Sequence, residues 1–225
     1  IKLINIKIKE KNKEVISKIS KTDFKNNLVK VNLSNNIISN DNTFYLVFSK
    51  QSEKILQKIN VAFQLNFKKN YNTLLSDKNY SDQFNIVEAN PGSVSVSFPL
   101  AKETSKLKFF LNAPFITDRA RSSLKNNETN ESFFKELHIL FFNTIVKLKE
   151  MNFLNREFFE ILPISRDELN GQYEQLRIAI INILKENSFL KTECNNLVKS
   201  HNLFKGNREI RDLLSKDDLN IIFNN

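Results

Sequence analysis

Glycine is almost missing from this chain. Its 225 residues include three, Gly92, Gly171 and Gly206, all far apart, so neither of the common glycine-rich loops that wrap a phosphate can form. The chain is not expected to bind a nucleotide by itself in a familiar way. Cysteine occurs once, as Cys194, which excludes an internal disulfide framework and suits a reducing cytoplasm. No Cys-His pairing signal stands near it. Of the two histidines, His138 falls in a strongly apolar stretch with no second His or Cys three or four residues away, the setting of a core histidine rather than a metal ligand. His201 falls in a polar stretch and reads as exposed. No run of 18 apolar residues occurs, and the start, IKLINIKIKE, alternates apolar and charged residues, so neither a membrane span nor a secretory signal is expected. The first residue is Ile rather than Met, and the chain reads as a piece of something longer. No Ser-His-Asp arrangement suggests itself, and Asp217-Asp218 and Glu157-Glu160 read as helix N-terminal charges. An autonomous hydrolase and a metal site are both outside the expectation.

What is abundant is phenylalanine and lysine. Twenty Phe and 40% hydrophobic residues are ample for a packed core. The net charge of +9 is unevenly spread: residues 1–70 carry 14 Lys, no Arg and five acids, whereas 71–225 carry 20 basic and 20 acidic groups. The whole excess therefore sits in the first third. A lysine-rich face can neutralise phosphates without reading sequence, but no helix-turn-helix or RNA-binding signature accompanies it. A solvated basic surface, or a face packed on another domain, is the alternative.

Periodicity divides the chain. Up to about 118 the pattern is that of strands: Ile4, Ile6 and Ile8, then Val29, Val31 and Leu33, then 43–49, 59–67, SVSVSFPL at 93–100 and LKFFLNAPF at 107–115. Residues 10–19 and 50–57 predict a short helix each, and 68–85 reads as a loop. From about 130 the period becomes helical. Phe134, Leu137, Phe141, Ile145 and Leu148 line one face of a helix over 131–151, and a short helix near 155–161 stops before Pro163. Ser165 and Glu168 match a capping box opening a helix through Tyr173, Leu176, Ile180 and Leu184. FLKTECNNLVK predicts two extended pieces joined at Asn195-Asn196, and 208–214 and 217–223 predict two short helices. The fold class expected is α+β, with a β-rich region over 1–125 and a mainly helical region over 126–225.

The most informative local feature is an arginine pair, Arg119 and Arg121, just after the last of these strands. Arg presents a planar fork of donors suited to phosphate or carboxylate, where Lys presents a point charge. The alternative is a surface pair or a salt bridge with Asp118 or Glu128.

The stretch Phe98–Leu124 resembles the segment that follows the nucleotide-binding domain in sacsin-like ATPases, relatives of the large heat-shock chaperone within the GHKL group. The residues that carry the resemblance are Phe98-Pro99, Lys102-Glu103-Thr104, Leu107–Leu111, Phe115 and Arg121. Downstream, the Phe-rich helix, FLNREFFEILP, the helix at 172–186, FLKTECNNLVK and REIRDLLSKDDLNIIF continue it more loosely. The resemblance implies a mixed sheet of the ribosomal-protein-S-five domain-two-like kind, acting as a middle or transducer domain. It also implies that a basic residue is donated to the γ-phosphate of ATP held by a preceding domain absent from this chain, where guanidinium charge stabilises the breaking bond. Thr117–Leu124 aligns with the chaperone's arginine motif and puts Arg121 at the arginine, with Ala120 and Ser122 departing from it. Arg119 is the alternative, and Lys102 or Lys106 come third. ATP and Mg²⁺ would be bound mainly by the missing domain, with no cofactor held by this fragment alone. The implied partners are that nucleotide-binding domain and a protein client or second copy, in a chaperone-like cytoplasmic ATPase with no membrane contact. The other reading is a non-catalytic module whose lysine-rich third docks on nucleic acid or an acidic partner.

Overall fold

The computed structural model describes residues 3–10, 13–35, 41–89, 92–96, 98–169, 171–192, 196–203 and 218. Two compact units are present, Ile1–Ile183 and Leu184–Asn225, and the boundary expected at 125/126 lies inside the first. The first unit is α+β.

Its sheet begins as an antiparallel meander of five strands, β1 (Leu3–Glu10), β2 (Lys13–Asp23), β3 (Leu28–Asn35), β4 (Asp41–Gln51) and β5 (Lys58–Phe67). The outer edge of β5 is then shared. Its C-terminal half pairs with β6 (Phe84–Val87), and its first residues pair with β8 (Phe110–Asn112). Beside β8 lies β7 (Val94–Ser95), the one parallel pairing of the described sheet, which makes the sheet mixed. A short helix α1 (Tyr80–Gln83) precedes β6.

Strict alternation shapes the inner face. Ile59, Val61, Phe63 and Leu65 of β5 are buried, as are Phe44, Leu46 and Phe48 of β4. Helix α2 (Glu128–Glu150) packs on both strands, burying Phe134, Leu137, Phe141, Ile145 and Leu148, the stripe that its spacing predicts. Phe63 sits at the centre, with ring centroids 5.6 Å from Phe109, 6.3 Å from Phe141 and 5.8 Å from Phe158. Truncating it to Ala removes a fully buried ring and costs about 3–5 kcal/mol. The helix ends are satisfied locally. Asn127 accepts from the Asn130 N–H at 2.8 Å, and Asn152, at φ 59°, turns the chain so that Phe153 N–H bonds the Leu148 carbonyl at 2.8 Å. Helix α3 (Arg156–Glu160) packs against β6, and α4 runs Gly171–Glu186.

Several expectations are corrected. Residues 13–19 belong to β2, not to a helix: all of them pair with β1, those from Ser17 on pair with β3 as well, and Val15, Ile16 and Ile19 are β-branched. Residues 50–57 form no helix either. Leu56 is 96% exposed, so a helix there would have no face to bury, and Ser52 N–H closes a tight loop onto the Gln57 carbonyl at 2.9 Å. The stretch read as a loop to 85 contains α1 and the start of β6. Ser165 and Glu168 do not open α4. Asp167 instead accepts from Ile164 N–H at 2.7 Å in a turn, and α4 starts at Gly171, whose φ of 54° suits a glycine. The strands expected at 93–100 and 107–115 shrink to β7 and β8. Ser95 bridges back to Pro99, so Phe98 lies in a turn, 75% exposed. Gly92 is required for a different reason: a Cβ there would lie 2.2 Å from the Leu107 carbonyl oxygen.

In the second unit, β9 (Leu190–Lys191) and β10 (Leu197–Val198) are the two extended pieces that the sequence predicts; they pair antiparallel, and a 3-10 turn follows at Ser200–Asn202. Cys194 and the helices expected at 208–214 and 217–223 lie outside the described residues, Asp218 excepted. No helix among the described residues is long and apolar enough to cross a membrane.

Candidate functional site

The arginine pair lies on a closed loop, residues 116–125. Its base is an antiparallel bridge between Thr117 and Leu124 together with a 3.0 Å bond from Lys125 N–H to the Ile116 carbonyl. Inside the loop, Asp118 N–H bonds the Ser123 carbonyl at 3.0 Å and Arg121 N–H bonds the Asp118 carbonyl at 3.1 Å. Arg121 turns the chain at φ 54°, a left-handed conformation that costs a non-glycine residue about 1–2 kcal/mol. The Asp118 carboxylate holds that turn. It accepts from Ser122 N–H at 2.7 Å, from the Ser122 hydroxyl at 2.7 Å and from the Ser123 hydroxyl at 3.1 Å. These bonds, those from Ser122 foremost, lower its pKa to about 2.

Asp118 is therefore occupied by serines, and no ion pair joins either arginine to Asp118 or Glu128 among the described residues. Both arginines are exposed.

Three side chains outside the loop fix it in place. Asn130, 3% exposed near the start of α2, accepts from Ile116 N–H at 2.8 Å and donates to the Ile116 carbonyl at 2.8 Å and the Lys125 carbonyl at 2.7 Å. Glu103 accepts from Leu124 N–H at 2.8 Å through one oxygen and from the Tyr173 hydroxyl at 2.7 Å through the other. Burial first, and then the bond to Glu103, push the Tyr173 phenol well above its usual range, so it stays a neutral donor. Its ring stands edge-on to Phe134 at 5.3 Å, and Phe134 lies 5.3 Å from Phe115.

Beside the loop is an open cleft of about 380 Å³, lined by the Phe98–Leu100 turn and by Phe115, Thr117 and Arg121. Arg121 thus lines a cleft, whereas Arg119 is exposed and is not one of its lining residues. Lys102 is brought to the loop through its backbone, whose N–H bonds the Ser122 carbonyl at 2.9 Å, and its side chain is exposed. Lys106, at φ 54°, is exposed in an irregular segment whose neighbour Ser105 bonds the Gly92 carbonyl at 3.3 Å. Of the four basic candidates, the structure gathers Arg119, Arg121 and the Lys102 backbone at one loop, and of these Arg121 lines the cleft. No group of three or more His, Cys, Asp or Glu side chains among the described residues is placed to hold a metal. His138 is half-buried, its Nε2 without a hydrogen-bond partner among the described residues, and burial lowers its pKa.

No protein-family model, curated protein or solved structure matches the chain.

Glu103, Asn130 and Tyr173 are the site residues that sequence reasoning did not single out for a functional role. A signal exists for Asn130: it precedes Phe134, Leu137 and Phe141 by four, seven and eleven residues, which sets a polar amide on the apolar stripe of α2. A buried amide must find partners.

Proposed function

We propose that this chain is the transducer region of a sacsin-like GHKL ATPase, presenting Arg121 to the γ-phosphate of ATP held by a preceding domain. One observation carries this reading: a guanidinium without an ionic partner among the described residues, on a backbone turn held by Asp118, Asn130 and Glu103, at the edge of a cleft open to the outside. A preorganised cation aimed at developing charge loses little on reorganisation when the bond breaks. Arg121 suits a phosphate oxygen in geometry and charge, while the metal and the rest of the nucleotide would be held by the other domain. The finer fold proposal, a ribosomal-protein-S-five domain-two-like sheet, is supported by a mixed sheet with α2 packed on β4 and β5.

The test is ATP turnover by the longer protein that this reading requires. Arg121→Ala is expected to lower it by about 10²–10⁵-fold, with Arg119→Ala close to wild type. Unchanged turnover in Arg121→Ala overturns the assignment, and the reverse order of effects transfers the role to Arg119.

A second reading draws on the first third of the chain. A cleft of about 530 Å³ sets Lys30 beside Phe24, Phe44 and Phe67, with the Lys30 ammonium 5.9 Å from the Phe44 ring centre, and Lys21, Lys25 and Lys69 are exposed. A cation among aromatic faces fits a nucleic-acid strand. Binding of single-stranded DNA or RNA that weakens steeply with salt supports it; no binding at low salt removes it.

A further inference from the structure

We propose that Glu103 is a positioning residue that couples the Arg121 loop to helix α4, and that Tyr173 is its counterpart on that helix. Glu103 divides its carboxylate between two elements: one oxygen holds Leu124 N–H at 2.8 Å, at the base of the loop, and the other holds the Tyr173 hydroxyl at 2.7 Å, in the first turn of α4. Two residues far apart in sequence, 21 and 70 positions from Glu103, meet on one side chain. The same elements are joined a second way, through the ring series Phe115, Phe134 and Tyr173. Phe115 lines the cleft beside Arg121. The loop, the cleft wall and α4 therefore form one closed circuit of contacts. A displacement of the Arg121 loop as a whole towards a phosphate must either carry α4 with it or break a part-buried, charge-assisted bond.

This coupling presupposes that Arg121 meets a phosphate, so the experiment reads both in the longer ATPase, beginning with Arg121→Ala. Tyr173→Phe removes only the hydroxyl, and Glu103→Ala removes both bonds. Each is expected to lower kcat on the order of tenfold with KM little changed, as misplacing a reacting group does. Neither is expected to lower it further when combined with Arg121→Ala. Glu103→Gln keeps an acceptor for Leu124 and a polar group for Tyr173, and is expected to retain most turnover. In the wild type, ATP should alter amide exchange in α4; in Glu103→Ala that response should disappear while β4 and β5 stay protected. If Arg121→Ala impairs turnover but Tyr173→Phe and Glu103→Ala do not, or if their losses persist undiminished on top of it, the coupling is wrong and the function stands. If α4 responds equally to ATP in Glu103→Ala, the coupling is likewise wrong. If Arg121→Ala is silent, both fall.

Discussion

The side-chain amide of Asn130 pairs with the backbone of Ile116 at both of its ends, accepting from the N–H at 2.8 Å and donating to the carbonyl at 2.8 Å. The amide stands in for a neighbouring strand. It lets α2 hold a loop whose own bridge, between Thr117 and Leu124, is isolated, and with the further bond to Lys125 it clamps both ends of the Arg121 loop at once.

Replacing Asn130, itself 3% exposed, by Ala removes the partner of the Ile116 N–H and of the Lys125 carbonyl, while the Ile116 carbonyl keeps its bond from Lys125 N–H. A loss of about 2–4 kcal/mol in urea denaturation is expected, together with faster amide exchange at Ile116. A loss below about 0.5 kcal/mol, the range of ordinary surface substitutions, contradicts the clamp.

Asp118 should show its bonds in acid. Its folded pKa, about 2 against an ordinary 3.8, means that the folded state favours the ionised form. The resulting stabilisation is fully present above pH 3.8 and is lost as pH falls towards about 2. Asp118→Asn should therefore be less stable than wild type at neutral pH, with the gap narrowing over that interval. A constant gap in pH-dependent denaturation rejects this account.

His138 should contribute with the same sign at higher pH. Burial lowers its folded pKa from 6.5, so the unfolded chain binds the extra proton more readily and stability falls as pH drops below 6.5. His138→Leu is expected to flatten that part of the stability profile. An unchanged slope shows that the imidazole is not the group responsible.

The backbone at Arg121 carries strain that its side chain does not explain. At φ 54°, Arg121→Gly should be more stable than Arg121→Ala by about 1 kcal/mol, because only glycine enters this region without a Cβ clash. Both lack the guanidinium and should be equally deficient in turnover. Equal stability of the two in urea denaturation indicates that the turn relaxes.

Much of the scaffold was legible beforehand because it is periodic. The alternation of Ile59, Val61, Phe63 and Leu65 and the stripe from Phe134 to Leu148 each report one buried face, and burial is what the spacing of apolar residues encodes. The helices expected over 10–19 and 50–57 failed for a related reason. A short apolar cluster does not reveal its period, and pairing with β1 and β3 settled the first as a strand. The capping box at Ser165 failed because Asp167 bonds the Ile164 N–H and closes a turn there, and the helix begins only at Gly171.

The functional candidates separate along the same line. Composition and spacing alone determined that three scattered glycines cannot wrap a phosphate, that a large phenylalanine core was available, and that an arginine pair followed the last strand-like run. They could not choose between Arg119 and Arg121, two positions on one loop with the same chemistry. Tertiary structure decided which of them lines the cleft, and it decided that Asp118 bonds serines rather than arginine. It also brought Glu103 to Tyr173 across 70 residues. A hydrogen bond between distant side chains leaves no periodic trace in the chain: it depends on where packing carries the two backbones, and only the folded core sets that distance.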